Sequence, residues 1–141
     1  MAAMSRTLIE TGLGWRYTPP RMAALIDDPD TVALVACDIE RLRGLAVMHF
    51  GEARAHLVLL CVDPARQRHG IGRRLVDWLL SSARVAGIGS VGLELRADNP
   101  AALAFYRRLG FVETRWLPGY YDGRIAARCM QRVLGPEPAL R

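Results

Sequence analysis

The sequence predicts an α/β (α+β) fold, a mixed and mostly antiparallel sheet with helices on both faces. Three observations predict it. Three consecutive runs rich in valine and leucine are joined by short polar links. The third run leads through a helical segment into another strand-like run, a unit that makes a parallel pair with a right-handed crossover. After a second helical segment, two more strand-like runs close the chain. With 141 residues, 51% of them apolar, the chain can bury its own core, and 1–141 reads as one domain.

Residues 1–30 read as an abbreviated and irregular region. "TLIETGLGWRYTPP" has room for a short strand and a turn at Pro19-Pro20. "RMAALIDDPD" reads as a short helix stopped by Asp28-Pro29. The three strands are "TVALVAC" (31–37), "RGLAVMHF" (43–50) and "AHLVLLCV" (55–62). Links as short as "DIERL" and "GEAR" make neighbours antiparallel. The third run is nearly all apolar, which places it centrally with both faces covered.

"RRLVDWLLSSARVA" (73–86) is predicted as a helix, with Leu75, Trp78, Leu79, Ala83 and Ala86 on one stripe and Gly87 as a left-handed stop. "SVGLELR" (90–96) alternates: Val91, Leu93 and Leu95 face one way, Gly92, Glu94 and Arg96 the other. Asn99 is an N-cap with Pro100 at the first helical position. That helix runs to Leu109, carries Ala102, Phe105, Tyr106 and Leu109 on one face, and stops at Gly110. "FVETRWL" (111–117) and "RIAARCMQRVL" (124–134) are two strands around a "PGYYDG" loop, and 135–141 reads as a frayed tail.

Composition excludes several classes. No apolar run reaches the roughly 18 residues of a membrane span. The first residues lack a signal-peptide pattern, so a soluble, cytoplasmic protein is expected. Cys37, Cys61 and Cys129 are odd in number, lack metal-ligand spacing and read as small hydrophobes. His49, His56 and His69 are scattered, so no metal is expected. The net charge of +5 is carried by arginine alone; there is no lysine. Such a balance attracts polyanions, or reflects coding composition.

The stretch "RQRHGIGRRL" (66–75) lies after a buried strand and opens a helix. The first amides of a helix have no internal partners, and the dipole adds positive charge there. Gly70 and Gly72 let backbone approach a bulky anion, with Arg68, Arg73 and Arg74 in support. A Walker loop needs Gly-Lys-Ser/Thr, which is absent. A dinucleotide loop needs a third glycine where Leu75 stands. Gln67-Arg68-His69-Gly70-Ile71-Gly72 fits the coenzyme A pattern Gln/Arg-x-x-Gly-x-Gly/Ala without a gap. A basic helix start with glycines for turning fits the same residues.

Three motifs follow each other at fitting distances: "LLCVDPARQRHGIGRRL", "LELRADN" and "AALAFYRRLGF". Together they resemble the GNAT acetyltransferase superfamily, over roughly residues 31–134. "LELRADNPAALAFYRRLGF", a later "YY" and a late methionine resemble the RimI type, which acetylates the N-terminal amine of a ribosomal protein. The resemblance implies acetyl-CoA as cosubstrate, held where strands 55–62 and 90–96 splay apart. It implies that the backbone of Leu60, Cys61 and Val62 pairs with the pantetheine arm. The pyrophosphate would rest on amides of Arg68, His69, Gly70, Ile71, Gly72 and Arg73, and Asn99 would bond the pantetheine side.

By the same resemblance Glu94 is the general base and Tyr106, twelve residues on, the general acid. A backbone amide near Leu60 would steady the oxyanion. Tyr120 and Tyr121 match the RimI-type loop beside the peptide channel, although Ile125-Ala126 stands where that type carries an acidic residue. The expected acceptor is a peptide N-terminal amine, with a small-molecule amine as the alternative. The expected assembly is a monomer or homodimer. Two other classes fit parts of the chain: a nucleic-acid-binding module using the basic helix start, and a GNAT-fold sensor that binds coenzyme A without catalysis. The expectation is no nucleic acid and no membrane partner.

Overall fold

The first helix, α1 (Pro19–Asp27), opens on the two prolines that the sequence suggested as a turn. Proline has no N–H to donate and its φ is already helical, so a first helical turn accepts it. The structure, a computed structural model, describes residues 19–39, 41–66 and 70–135. The expectations for residues before Pro19 and for the tail after Gly135 lie outside the described residues.

Three strands follow: β1 (Thr31–Cys37), β2 (Leu42–Phe50) and β3 (Arg54–Val62). They pair antiparallel in sequence order, as their short links require. A 3₁₀ turn at Pro64–Arg66 leads on toward α2 (Ile71–Val85). Then come β4 (Ser90–Arg96), α3 (Pro100–Arg108), β5 (Val112–Tyr121) and β6 (Ile125–Val133). The sheet has six strands in the order β1-β2-β3-β4-β6-β5, and β3–β4 is its parallel pair.

Helix α2 begins two residues before the predicted Arg73 and buries Leu75, Val76, Leu79, Leu80 and Ala83. Trp78 is 52% exposed and Ala86 is also exposed, so the predicted stripe is off on one flank. Positions 76/80 and 78/86 both flank the 75/79/83 line. The docking angle on the sheet selected the first pair. Gly44 on β2 permits that docking, because a Cβ there would stand 2.8 Å from Ile71 Cγ2. Gly87 and Gly110 end α2 and α3 with φ of 80° and 88°.

Strand β2, not β3, is the more completely covered: Arg43 to Met48 are all buried. Strand β3 alternates, with Ala55, Leu57, Leu59 and Cys61 buried and the residues between them partly exposed. A register shift divides β3: Val47 pairs with Leu59 and Met48 with Leu57, so Val58 is an inserted bulge residue. Leu57 therefore joins the core under α2 and α3, while Leu59 and Cys61 join a second cluster with Leu45 and Val47 against Leu25 and Ile26 of α1.

The predicted "PGYYDG" loop is mostly strand. Strand β5 runs on to Tyr121, and the turn is confined to Asp122–Arg124. Pro118 is tolerated because β5 is an edge strand, where one side of the backbone needs no ladder partner. Among the described residues no helix is long and apolar enough to cross a membrane.

Candidate active site

The parallel pair is short. Arg54, Ala55 and His56 pair with Ser90, Val91 and Gly92, and the register ends there. Strand β3 continues to Val62 and β4 to Arg96, each without a register partner on the other. The bulge at Val58 lies two residues beyond the last pair. A bulge increases local twist, so β3 turns away from β4 and a wedge opens. Leu60, Cys61 and Val62 line the β3 side of this wedge. On this side Leu60 and Cys61 lie beyond the last β3–β4 pair, where an extended amide chain could add alongside the strand.

At the end of β3 the chain is clamped. The buried Arg43 donates through Nη1 to Asp63 Oδ2 at 2.9 Å and through Nε to Asp38. Asp63 also accepts the Ala65 amide at 3.0 Å. The amide first, then Arg43, holds the Asp63 carboxyl below its ordinary range. This clamp fixes where the glycine turn starts. Gly70 precedes α2 at φ 79°, a conformation that disfavours a side chain. It offers no side-chain cap, and the first turn of α2 has no acidic residue. The helix start is thus electropositive and accessible to an anion.

Ile71, Gly72 and Arg73 occupy that first turn. A Cβ on Gly72 would stand 3.3 Å from Phe105 of α3, so glycine keeps the two helices close around the wedge. Arg73 lies 3.6 Å from Asp77, and Arg74 bonds back to the Gly70 carbonyl at 3.4 Å. Arg74 also lines a groove of about 500 Å³ with Val35, Leu75 and Trp78. Gln67, Arg68 and His69 lie outside the described residues.

Glu94 projects from β4 on the face away from Leu93 and Leu95, as the alternation predicted. Its Oε2 is hydrogen-bonded to His56 Nε2 on β3. The pair is half-buried, with side chains 27% and 42% exposed. Across β4–β6 Glu94 pairs in register with Cys129, and across β6–β5 Cys129 pairs with Arg115. One row therefore crosses four strands: His56, Glu94, Cys129, Arg115. Burial, then the Glu94 charge, raises the Cys129 thiol above its ordinary value, while Arg115 lowers it.

Tyr106 enters from the opposite face. It is buried on α3 between Phe105 and Phe111, with ring centroids at 5.1 and 5.6 Å. Burial drives its pKa well above the ordinary phenol value, with smaller contributions from Tyr121 and Cys61. Those two neighbours place its ring toward β3 and the end of β5. Burial also pushes the Cys61 thiol up to about 12, so that sulfur stays protonated and unreactive at neutral pH. Asn99 Oδ1 accepts the Ala102 amide at 3.1 Å and caps α3. Tyr120 and Tyr121 stack edge-to-face at 5.0 Å.

The structure thus sets Leu60, Cys61, Val62 and Glu94 on the two strands that frame one wedge, packs Tyr106 in the core cluster with Leu93 and Leu95, and places Gly70, Ile71, Gly72 and Arg73 at the start of α2. Sequence reading missed His56. Its alternation was visible, but the parallel register that puts it beside Glu94 was not. Among the described residues no group of three or more His, Cys, Asp or Glu side chains could hold a metal ion.

Comparisons with known proteins agree with this geometry. The model of the acetyltransferase (GNAT) family matches residues 3–111. The [ribosomal protein bS18]-alanine N-acetyltransferase of Escherichia coli is 42% identical over 73 residues, 50% of this chain and 49% of that protein. The chain thus spans about half the length of such curated relatives. The crystal structure of Ard1 from Thermoplasma volcanium superposes with a TM-score of 0.83 at 32% identity, covering 92% of this chain and 88% of that one. The ribosomal-protein-S18-alanine N-acetyltransferase from Escherichia coli gives a TM-score of 0.78 at 28% identity, covering 99% and 92%. The wedge between β3 and β4, the glycine turn and the matching family model lead to one conclusion: the chain belongs to the GNAT family of acetyltransferases.

Proposed function

We propose that the chain is an enzyme that transfers the acetyl group of acetyl-CoA to a primary amine, and that the acceptor is a peptide N-terminus. The observation that carries this reading is the β3–β4 wedge, with Glu94 reaching it from one face and Tyr106 from the other. The likeness to Ard1 and to the bS18-alanine N-acetyltransferase supports it.

The backbone of Leu60, Cys61 and Val62 holds the pantetheine arm by strand addition, with Asn99 bonding it from α3. The amides of Gly70, Ile71, Gly72 and Arg73 at the start of α2 hold the pyrophosphate. A primary amine must be neutral to attack the thioester carbon. Glu94 receives the amine proton through Oε1, directly or through one water, while His56 holds Oε2 and fixes the carboxylate plane. A backbone amide near Leu60 donates to the carbonyl oxygen as it gains charge. The new C–N bond forms as the C–S bond breaks, and Tyr106 gives its proton to the departing sulfur. Its raised pKa keeps the phenol protonated across the neutral range. Asn99 combines its contact to the pantetheine arm with its cap of α3. Cys61 contributes backbone, since its thiol is too weak an acid to compete as a nucleophile.

Two features favour a peptide over a small polycation. Helix α1 packs on the β1–β3 half of the sheet, so the face at Glu94 is not enclosed by a described helix. The register neighbours of Glu94 across β6 and β5 are Cys129 and Arg115, which make no acidic pocket. An N-terminal amine, with a pKa near 7.7–8.0, is roughly a tenth neutral at pH 7, while a lysine amine is below about a thousandth.

The test is an acetyl-CoA turnover panel of free N-terminal peptides, N-blocked lysine peptides and small amines. The expected result is turnover concentrated on free N-termini. Turnover of small amines with none on peptides would overturn the peptide reading.

A further inference from the structure

We infer that Arg115 selects the acceptor, by binding a carboxylate carried within the first three residues of the peptide being acetylated. This rests on the peptide reading above and deepens it. The carrying observation is the row across β4, β6 and β5, in which Glu94 pairs with Cys129 and Cys129 with Arg115.

Adjacent strands lie about 4.8 Å apart, so the Arg115 backbone is roughly 10 Å from that of Glu94. An extended peptide advances about 3.3 Å per residue. A peptide running across the strands with its amine at Glu94 therefore meets Arg115 within three residues. The direction of Arg115 is set by a bulge. The register skips Thr114, whose hydroxyl donates to the Cys129 carbonyl at 3.3 Å. Glu113 and Trp116 on either side face α3 and Arg128, which leaves Thr114 and Arg115 on the Glu94 face. The electrostatic influence of both Glu94 and Arg115 on the Cys129 thiol agrees with this placement.

Charge on this face is unbalanced. Arg96, on the same face of β4 as Glu94, is committed to Asp98. Arg115 is exposed and has no ion pair or hydrogen bond among the described residues. The Glu94 carboxylate is engaged by His56. At the entry to β6, Ile125 and Ala126 supply no carboxylate. The half-buried Leu117 and the fully buried Ala127 beside this row thin the solvent around it. A permanent cation next to partly dry surface, with no side-chain partner among the described residues, is suited to an anion brought by the substrate.

The experiment uses two otherwise identical free N-terminal peptides with glutamate or lysine at position three, acetyl-CoA as donor, and three proteins: wild type, Arg115→Gln and Arg115→Glu. Wild type is expected to favour the glutamate peptide about fivefold in kcat/KM, chiefly through KM, the advantage shrinking with added salt. Arg115→Gln is expected to lose the preference and Arg115→Glu to reverse it, with KM for acetyl-CoA unchanged in all three. Equal use of the two peptides by wild type, or a preference retained in Arg115→Gln, overturns the assignment of Arg115 and leaves peptide acetylation standing. Turnover of neither peptide overturns the peptide reading and this inference with it.

Discussion

The two faces of the sheet are built from the same strands and serve different ends. Toward α2 and α3 the face is sealed: Leu57, Val91, Leu93, Leu95 and Met130 pack against Leu75, Val76, Leu79, Leu80, Tyr106 and Phe111. On the other face α1 packs on the β1–β3 half, while the β4–β6–β5 half carries Glu94, Cys129 and Arg115 in one row, with His56 of β3 bonded to Glu94 at its end. Strand β4 belongs to both, since Leu93 and Leu95 bracket Glu94. The sealed face sets the position of the backbone, and the open face leaves the Glu94 carboxylate partly exposed beside His56. Changes on the sealed face should therefore alter stability, and changes in the polar row should alter rate.

The sharpest test of that division is the polar row. Glu94→Gln keeps the side-chain shape and removes the proposed base, so kcat is expected to fall by about 10³-fold. Tyr106→Phe removes the acid and should cost about 10²-fold. Both variants should retain wild-type acetyl-CoA affinity by calorimetry, because the wedge and the helix start are untouched. Unchanged rates in both would refute the assigned roles.

The sealed face gives the complementary result. Leu79 is fully buried, so Leu79→Ala is expected to cost about 3 kcal/mol in urea unfolding. The rate per folded molecule should stay near wild type. A large loss of kcat without loss of stability would break the division between the faces.

The smallest effect is acid sensitivity at the ends of the two central strands. Asp63 is held low first by the Ala65 amide and then by Arg43, and Asp98 first by Arg96. In each case the folded carboxyl releases its proton at lower pH than the unfolded one. The stabilisation is thus full above the ordinary carboxylate range, near pH 4, and fades as pH falls through the lowered folded values. Thermal unfolding from pH 6 downward should show this decline, and Asp63→Asn should flatten part of it.

Much of this was legible before the fold. The strand runs at 31–37 and 90–96 have the bounds read from their sequences, because valine and leucine patterning and short polar links act locally. The same holds for the cap at Asn99, where one side chain serves an amide three residues on. Errors arose where two local readings were equally good. Trp78 and Leu80 both fit a helical stripe, and the docking of α2 buried only one of them. Pro118 and Gly119 read as loop, yet an edge strand accommodates both. His56 and Arg115 carried no local signal for the site.

By itself, the chain determined its elements and the glycine that opens α2, because hydrophobic period, caps and φ preferences are properties of neighbours in sequence. Tertiary structure alone decided that β3 leaves β4 after three pairs, that His56 meets Glu94, and that Glu94, Cys129 and Arg115 form a row. Those outcomes depend on register and bulges. They are set by the summed packing of distant strands, and no single segment contains that sum.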